Sequence, residues 1–239
     1  MLRFIVFILF LFLPCTLFLG GKSSDSTPDS AERAAASDVE AYASLYRSMQ
    51  LEGVVNWKAF RQAVAGYYKI DNRKREVLTL IDFSRPSTAK RLFVFDMRER
   101  KVLFSSVVSH GKNSGDNYAT SFSNQNGSYK SSLGFYLTEN TYQGGNGYSL
   151  ILNGLEKGIN DKAKERSIVV HGASYANPTV AASGRLGRSL GCPALPTKLA
   201  KPIINTIKDG SVMFIYANNS SYLAQSDILK NVSAPMPAL

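Results

Sequence analysis

From residue 76 onward the sequence breaks into short apolar bursts separated by turns, and no other feature limits its fold so strongly. EVLTLIDFS, RLFVFDMRER, KVLFSSVVSH, LGFYLTENTY, YSLILNG, RSIVVHG and SVMFIYAN each alternate or run apolar briefly between polar or glycine-rich stretches. Seven such segments against one later helical candidate, PTKLAKPIINTIKDG, predict a mainly β domain over 71 to 225. Pro202 inside that candidate offers a later helix start than Thr197. Two amphipathic stretches precede the strands. AERAAASDVEAYASLYRSMQ sets Val39, Tyr42, Leu45, Tyr46 and Met49 on one face, and WKAFRQAVAGYYKI aligns Trp57, Phe60, Val64 and Tyr67. They predict a helical extension over 36 to 70, folded as a hairpin or cap, with its aromatic stripe packed inside. GKNSGDNYATSFSNQNGSYKSS, 111 to 132, is too turn-rich for a tight hairpin and reads as a long loop of the kind that carries function. The tail over 226 to 239 reads as flexible.

The N-terminus reads as an export segment. Arg3 precedes an apolar run from 4 to 19, interrupted by Pro14 and short for a membrane span, and the polar tract GKSSDSTPDS follows. Residues 1 to 20 are either a cleaved signal peptide or a retained anchor that would tether the chain to a membrane, with 21 to 35 a linker. Either outcome places the remainder outside the cytoplasm, in the periplasm or cell envelope. Cys15 sits in the apolar run behind Phe12, Leu13 and Pro14, too bulky a setting for lipidation. With that segment set aside, Cys192 is the one remaining cysteine. It has no internal disulfide partner, so it is buried and inert, paired with another chain, or a working thiol.

A hydrophobic fraction of 44% supports a globular core, and the formal net charge is +10. The basic residues are dispersed rather than clustered with aromatics, which argues against nucleic acid. Such a surface suits an anionic partner such as a cell envelope, or simple solubility. With two histidines and no cluster of acidic, Cys and His residues at ligand spacing, neither a metal nor another cofactor is expected.

The chemistry concentrates in SIVVHGASYANPTVAASGRLGRSLGCPALP, 167 to 196. An apolar strand ends at His171, whose ring is thereby placed at a sheet rim. Gly191 and Pro193 flank Cys192, giving a stiff turn that presents the thiol, with the Gly191 and Cys192 N–H groups expected to face a developing oxyanion. A thiol of ordinary pKa, about 8.5, needs a proton acceptor, and His171 is the candidate. A thiol activated in this way is expected to react with iodoacetamide faster than a free thiol at pH 7. His110 in VVSHGKNSG also ends an apolar strand before a glycine, making it a rival base or a substrate-binding group. Arg185 and Arg188 are candidates for lowering the thiol pKa or holding a substrate carboxylate, and Tyr175 and Asn177 for lining the cleft.

His171-Gly172 followed by Ser189-Leu190-Gly191-Cys192 resembles the signature of the YkuD-like L,D-transpeptidase catalytic domain of bacterial cell walls. The framing IDFSRPS, RLFVFDM, SHGKNSG, SSLGFYLT and GRSLGCPALP is similar to the murein L,D-transpeptidase branch, over about residues 76 to 217. The resemblance implies a β-sandwich or barrel, a nucleophile at Cys192, a base at His171, oxyanion amides at Gly191 and Cys192, and a turn-supporting Ser189. It implies peptidoglycan stem peptides as donor and acceptor. Two departures stand out: Leu190 replaces the histidine of the commonest pattern, and Pro193-Ala194 replaces a hydrophobic residue followed by Asn or Arg.

Three functions are consistent with these residues. The first is an exported acyl-transferase of stem peptides, or an L,D-carboxypeptidase if water takes the acyl group. The second is a non-catalytic wall-binding protein on the same fold. The third is a cysteine peptidase of another clan, which the His-before-Cys order disfavours.

Overall fold

The structure, a computed structural model, describes residues 30 to 230, with side chains from residue 37. The expected export segment and the tail beyond 230 lie outside the described residues. Helices α1 (Ser30–Ser48) and α2 (Trp57–Lys69) precede strands β1 (Val77–Asp82), β2 (Leu92–Asp96), β3 (Lys101–Ser106), β4 (Gly134–Gly144), β5 (Gly147–Gly154) and β6 (Val169–Ala173). Then come α3 (Pro178–Ala181), β7 (Ala194–Pro196), α4 (Thr197–Ile207), β8 (Val212–Tyr216) and α5 (Ser220–Gln225). The strands form one sheet in the order β3-β2-β1-β8-β4-β5-β6-β7. Only β1–β8 and β6–β7 run parallel.

All seven strands read from the sequence are present; β7, three residues long, was not legible there. The sheet is nearly closed. Beyond β3 the chain continues to Ser109, which pairs with Ala194 of β7, and Gly111 bridges Ser189. The two edges of the sheet therefore meet, removing the open edges on which strands aggregate.

The helices belong to the same core. Asn56 caps α2 by accepting from the Lys58 and Ala59 N–H groups. Phe60, fully buried, meets Phe95 of β2 edge-on at 5.6 Å. Gly66 admits the Phe135 ring, which a Cβ there would approach to 2.0 Å. Phe135 in turn stacks on Phe214 at 4.2 Å. The α1 stripe differs from the expected one by its first member: Val39 is exposed and Asp38 is buried, while Tyr42, Leu45 and Met49 face inward. Helix α1 also starts at Ser30, inside the stretch read as linker.

Helix α4 begins at Thr197 and carries Pro202 in its interior. The side chain of Asn177 accepts from the Thr197 N–H, satisfying a group that the helix leaves open. Ala200, Ile203, Ile204 and Ile207 bury one face, and that packing outweighs the backbone bond proline removes. Residues 226 to 230, read from the sequence as part of the flexible tail, pack against the domain. Ser226 donates to Glu156, Leu229 is buried, and Lys69 Nζ donates to the Ile228 carbonyl at 2.9 Å.

Because the α1–α2 hairpin shares one core with the sheet, Phe60→Ala should cost about 3–5 kcal/mol. Urea unfolding should show one transition shifted as a whole; a separate early transition for the helices would show that they fold independently.

Candidate active site

The turn from Ser189 to Ala194 is built by one hydroxyl. Ser189 Oγ accepts from the Gly191 N–H at 3.1 Å and donates to the Cys192 carbonyl at 2.6 Å. Gly191 has φ +133, and a Cβ there would lie 2.9 Å from Ile168 Cδ1 and 3.0 Å from the Lys130 carbonyl oxygen. Conformation and space therefore both require glycine. The arrangement corrects one expectation: the Gly191 N–H is already engaged by Ser189 and does not point at an open oxyanion position. Leu190, at 60% exposed, projects from the turn into solvent.

Cys192 is free and only 8% exposed. Its sulfur accepts from the Val169 N–H at 3.5 Å and approaches the Ser167 carbonyl at 3.6 Å. Ser167 reaches that position with a left-handed backbone, φ 53. Burial pushes the thiol above its ordinary value, offset in part by the Val169 N–H and the Arg166 charge.

His171 lies on β6, paired in register with Ala194 of β7, so the base candidate sits beside the strand into which the Cys192 turn leads. The expected thiol–imidazole hydrogen bond is absent among the described residues; the sulfur rests on the β6 backbone instead. His171 Nδ1 lies 3.0 Å from the Gly172 carbonyl, which can only accept. Nδ1 therefore carries the proton and Nε2 keeps a lone pair. Burial lowers the His171 pKa, which holds the ring neutral at pH 7.

His110 does not face a cleft. It is fully buried, Arg91 Nη2 lies 2.8 Å from its Nδ1, and its Nε2 lies 3.4 Å from the Gly115 carbonyl. Arginine only donates, so Nδ1 accepts and Nε2 carries the hydrogen. Both ring nitrogens are thus occupied, which corrects the expectation of a rival base or substrate contact. Burial and then the Arg91 charge push the His110 pKa down to about 4.

Arg185 and Arg188 both hold Asp116, at 2.7 and 3.4 Å, and Arg188 also donates to the Gly115 carbonyl at 3.0 Å. They clamp the 111 to 132 loop rather than standing free for a substrate carboxylate. Tyr175 is half-buried, and burial followed by the Cys192 charge pushes its hydroxyl up to about 12. Asn177 is occupied in capping α4.

Arg166 is absent from the sequence-derived set, yet it borders the thiol turn. Its guanidinium donates to the Ser123 and Lys130 carbonyls at 2.8 and 2.6 Å and to the Ser132 hydroxyl at 2.5 Å. No ion pair joins it to a carboxylate among the described residues. Its one trace in the sequence is a basic residue opening RSIVVHG. Ser131 adds a second tie, accepting from the Gly111 N–H and donating to the Gly191 carbonyl, both at 3.0 Å. Among the described residues, no group of three or more His, Cys, Asp or Glu side chains could hold a metal ion.

A family model described as the L,D-transpeptidase catalytic domain matches residues 51–216, which spans α2, every strand and the thiol turn. The chain belongs to that family. Among solved structures, this L,D-transpeptidase-family chain is similar to an L,D-transpeptidase from Mycobacterium smegmatis, at 14% identity and TM-score 0.37, covering 59% of each chain. It is similar also to L,D-transpeptidase 3 from Mycobacterium tuberculosis, at 14% identity and TM-score 0.37, covering 59% of this chain and 61% of that one. The helical cell shape determining protein of Campylobacter jejuni matches at 15% identity and TM-score 0.42, with coverage of 74% and 59%. The chain thus spans about three-fifths of the length of these structures. No curated protein matches it significantly.

Two measurements follow from burial in this L,D-transpeptidase domain. A buried thiol with a raised pKa should react with iodoacetamide more slowly than free cysteine at pH 7, the reverse of the sequence expectation, and should accelerate above pH 9. Mass-spectrometric labelling rates on the unliganded protein check this; labelling faster than free cysteine would contradict it. For His110, the unfolded chain takes a proton near pH 6.5 whereas the folded one does so only near 4. Stability is therefore full above pH 6.5 and falls as pH drops toward 4. Urea unfolding from pH 7 to 4.5 should cost wild type roughly 2–3 kcal/mol more than His110→Gln, since the other titrating groups cancel.

Proposed function

We propose that the protein is an exported L,D-transpeptidase, a cysteine acyl-transferase acting on peptidoglycan stem peptides, with Cys192 as nucleophile and His171 as base. The observation that carries the reading is the placement, within the matched family span, of one free thiol on the turn that leads into β7 and one neutral, tautomer-fixed imidazole on the adjacent strand β6.

In the reaction, the Cys192 side chain rotates off the β6 backbone toward His171 Nε2, which takes the thiol proton. Sulfur bonds to the carbonyl carbon at the L-centre of diaminopimelate in a tetrapeptide stem. The Cys192 N–H, which makes no hydrogen bond to another residue among the described ones, faces the developing oxyanion. The carbon–nitrogen bond to D-alanine breaks, and His171 returns its proton to the departing amine. In the second half, an amine of another stem attacks the thioester, its proton passes through His171, and the thiolate leaves. If water attacks instead, the same site is an L,D-carboxypeptidase. Ser189 keeps the turn in shape throughout. The basic surface suits the anionic wall, in the periplasm or cell envelope, with residues 1 to 20 as cleaved signal or membrane tether.

Full-length wild type and Cys192→Ala should be incubated with disaccharide-tetrapeptide and the products weighed by mass spectrometry. Dimers lacking one D-alanine are expected from wild type, with the rate reduced on the order of a thousandfold or more in the variant. Monomeric tripeptide alone would identify the carboxypeptidase. Neither product from folded wild type would overturn the enzyme reading and favour a wall-binding protein. Because His171 is held below its ordinary pKa, the acidic limb of kcat/KM should lie below pH 6.5.

A further inference from the structure

Three successive peptide groups carry the Cys192 turn, and serine hydroxyls hold all three. Ser189 Oγ accepts from the Gly191 N–H and donates to the Cys192 carbonyl, which fixes the first group and the last. The middle group joins the Gly191 carbonyl to the Cys192 N–H, and its hold comes from a distant part of the chain. Ser131, at the far end of the 111 to 132 loop, donates from its Oγ to the Gly191 carbonyl at 3.0 Å.

The sense of that bond is fixed by its surroundings. Ser131 Oγ also accepts from the Gly111 N–H at 3.0 Å, so its single hydrogen goes to Gly191. Ser131 is itself buried and held at both backbone groups. Its N–H donates to Ser114 Oγ at 2.9 Å, and its carbonyl accepts from the Ser123 N–H at 3.1 Å. The backbones around it are in contact: a Cβ on Gly111 would lie 2.9 Å from the Ser131 nitrogen and 3.0 Å from Gly191 Cα.

A trans peptide group is planar, with its carbonyl and N–H pointing in opposite directions. Holding the Gly191 oxygen therefore sets where the Cys192 N–H points. Gly191, at φ +133, offers little resistance of its own to a swing of that group. The donated bond also polarises the group and strengthens its N–H as a donor. That N–H makes no hydrogen bond to another residue among the described ones, and it lies beside its own sulfur, where it favours the thiolate.

We infer that Ser131 is a positioning residue for acyl transfer: by holding the Gly191 carbonyl it aims the Cys192 N–H at the oxyanion that forms beside the sulfur. It acts through this one peptide group and not on the reacting atoms. The inference rests on the proposed cysteine chemistry and deepens it, naming the loop residue on which the oxyanion contact depends.

Two small reagents separate aim from access. With p-nitrophenyl acetate, the thiolate sulfur bonds to the carbonyl carbon through a tetrahedral oxyanion, and p-nitrophenolate leaves. With iodoacetamide, the same thiolate displaces iodide and no oxyanion forms. Both rates should be measured on full-length wild type, Ser131→Ala, Ser131→Thr and Ser114→Ala, with Cys192→Ala as background. In Ser131→Ala the ratio of acylation to alkylation should fall on the order of tenfold, part of the roughly hundredfold or more that losing an oxyanion donor outright costs. Ser131→Thr keeps the hydroxyl, and Ser114→Ala removes a hydrogen bond from the same loop without touching Gly191; both should keep the wild-type ratio. Circular-dichroism spectra establish that each variant is folded. An unchanged ratio in folded Ser131→Ala, an equal fall in Ser114→Ala, or a fall in folded Ser131→Thr would each overturn the role. The stem-peptide reading is judged separately, by D-alanine release from wild type. Release with an unchanged ratio sinks the role of Ser131 alone, whereas a fallen ratio without release sinks the stem-peptide reading alone.

Discussion

The pairing of the chain just beyond β3 with the segment running into β7 shapes both sheet and site. Ser109 exchanges hydrogen bonds with Ala194, the Ser189 N–H donates to the His110 carbonyl at 2.9 Å, and the Lys112 N–H donates to the Ser189 carbonyl at 2.8 Å. These bonds bring together the two edges of the sheet. They turn His110 inward, hold the Cys192 turn from one side, and fix where the long 111 to 132 loop begins. Ser131 then ties the far end of that loop back to the same turn, and Arg166 holds the neighbouring Lys130 carbonyl. The turn that carries the thiol is thus held by hydrogen bonds at several points.

The ties around the turn are made mostly by neutral groups. Serine hydroxyls bridge backbone N–H and carbonyl groups, and the Arg166 guanidinium is satisfied by two carbonyls and two serine hydroxyls. Arg91, fully buried, donates to the Val108 and Arg85 carbonyls, and burial lowers its pKa to about 9. Fully desolvated ions are costly, and neutral acceptors relieve the guanidinium without burying a second charge. The same desolvation acts on His110, His171 and Cys192, keeping both rings and the thiol uncharged at rest. A thiolate–imidazolium pair would have to be created against that burial.

Residues that resemble each other in sequence have been put to different uses. His110 and His171 both end apolar strands before a glycine, but an arginine occupies the ring of one while a carbonyl orients the ring of the other. Arg185 and Arg188 look like free cations near the cysteine and are spent on Asp116. Arg166, embedded in an unremarkable basic stretch, borders the thiol instead.

The sequence by itself determined the strands, the two N-terminal helices and the identities of the thiol and imidazole. Those follow from local periodicity, from glycine and proline at fixed offsets, and from the scarcity of cysteine and histidine. It could not show β7, whose three residues carry no periodicity, nor that α4 keeps Pro202 inside it, because Asn177 and an isoleucine face hold that helix from outside. Only the tertiary structure decided that Gly191 spends its N–H on Ser189, that His110 is sealed off, and that Ser131 reaches the Gly191 carbonyl. Each of these depends on which partner a polar group finds after burial. That partner comes from a distant part of the chain, where local pattern carries no information.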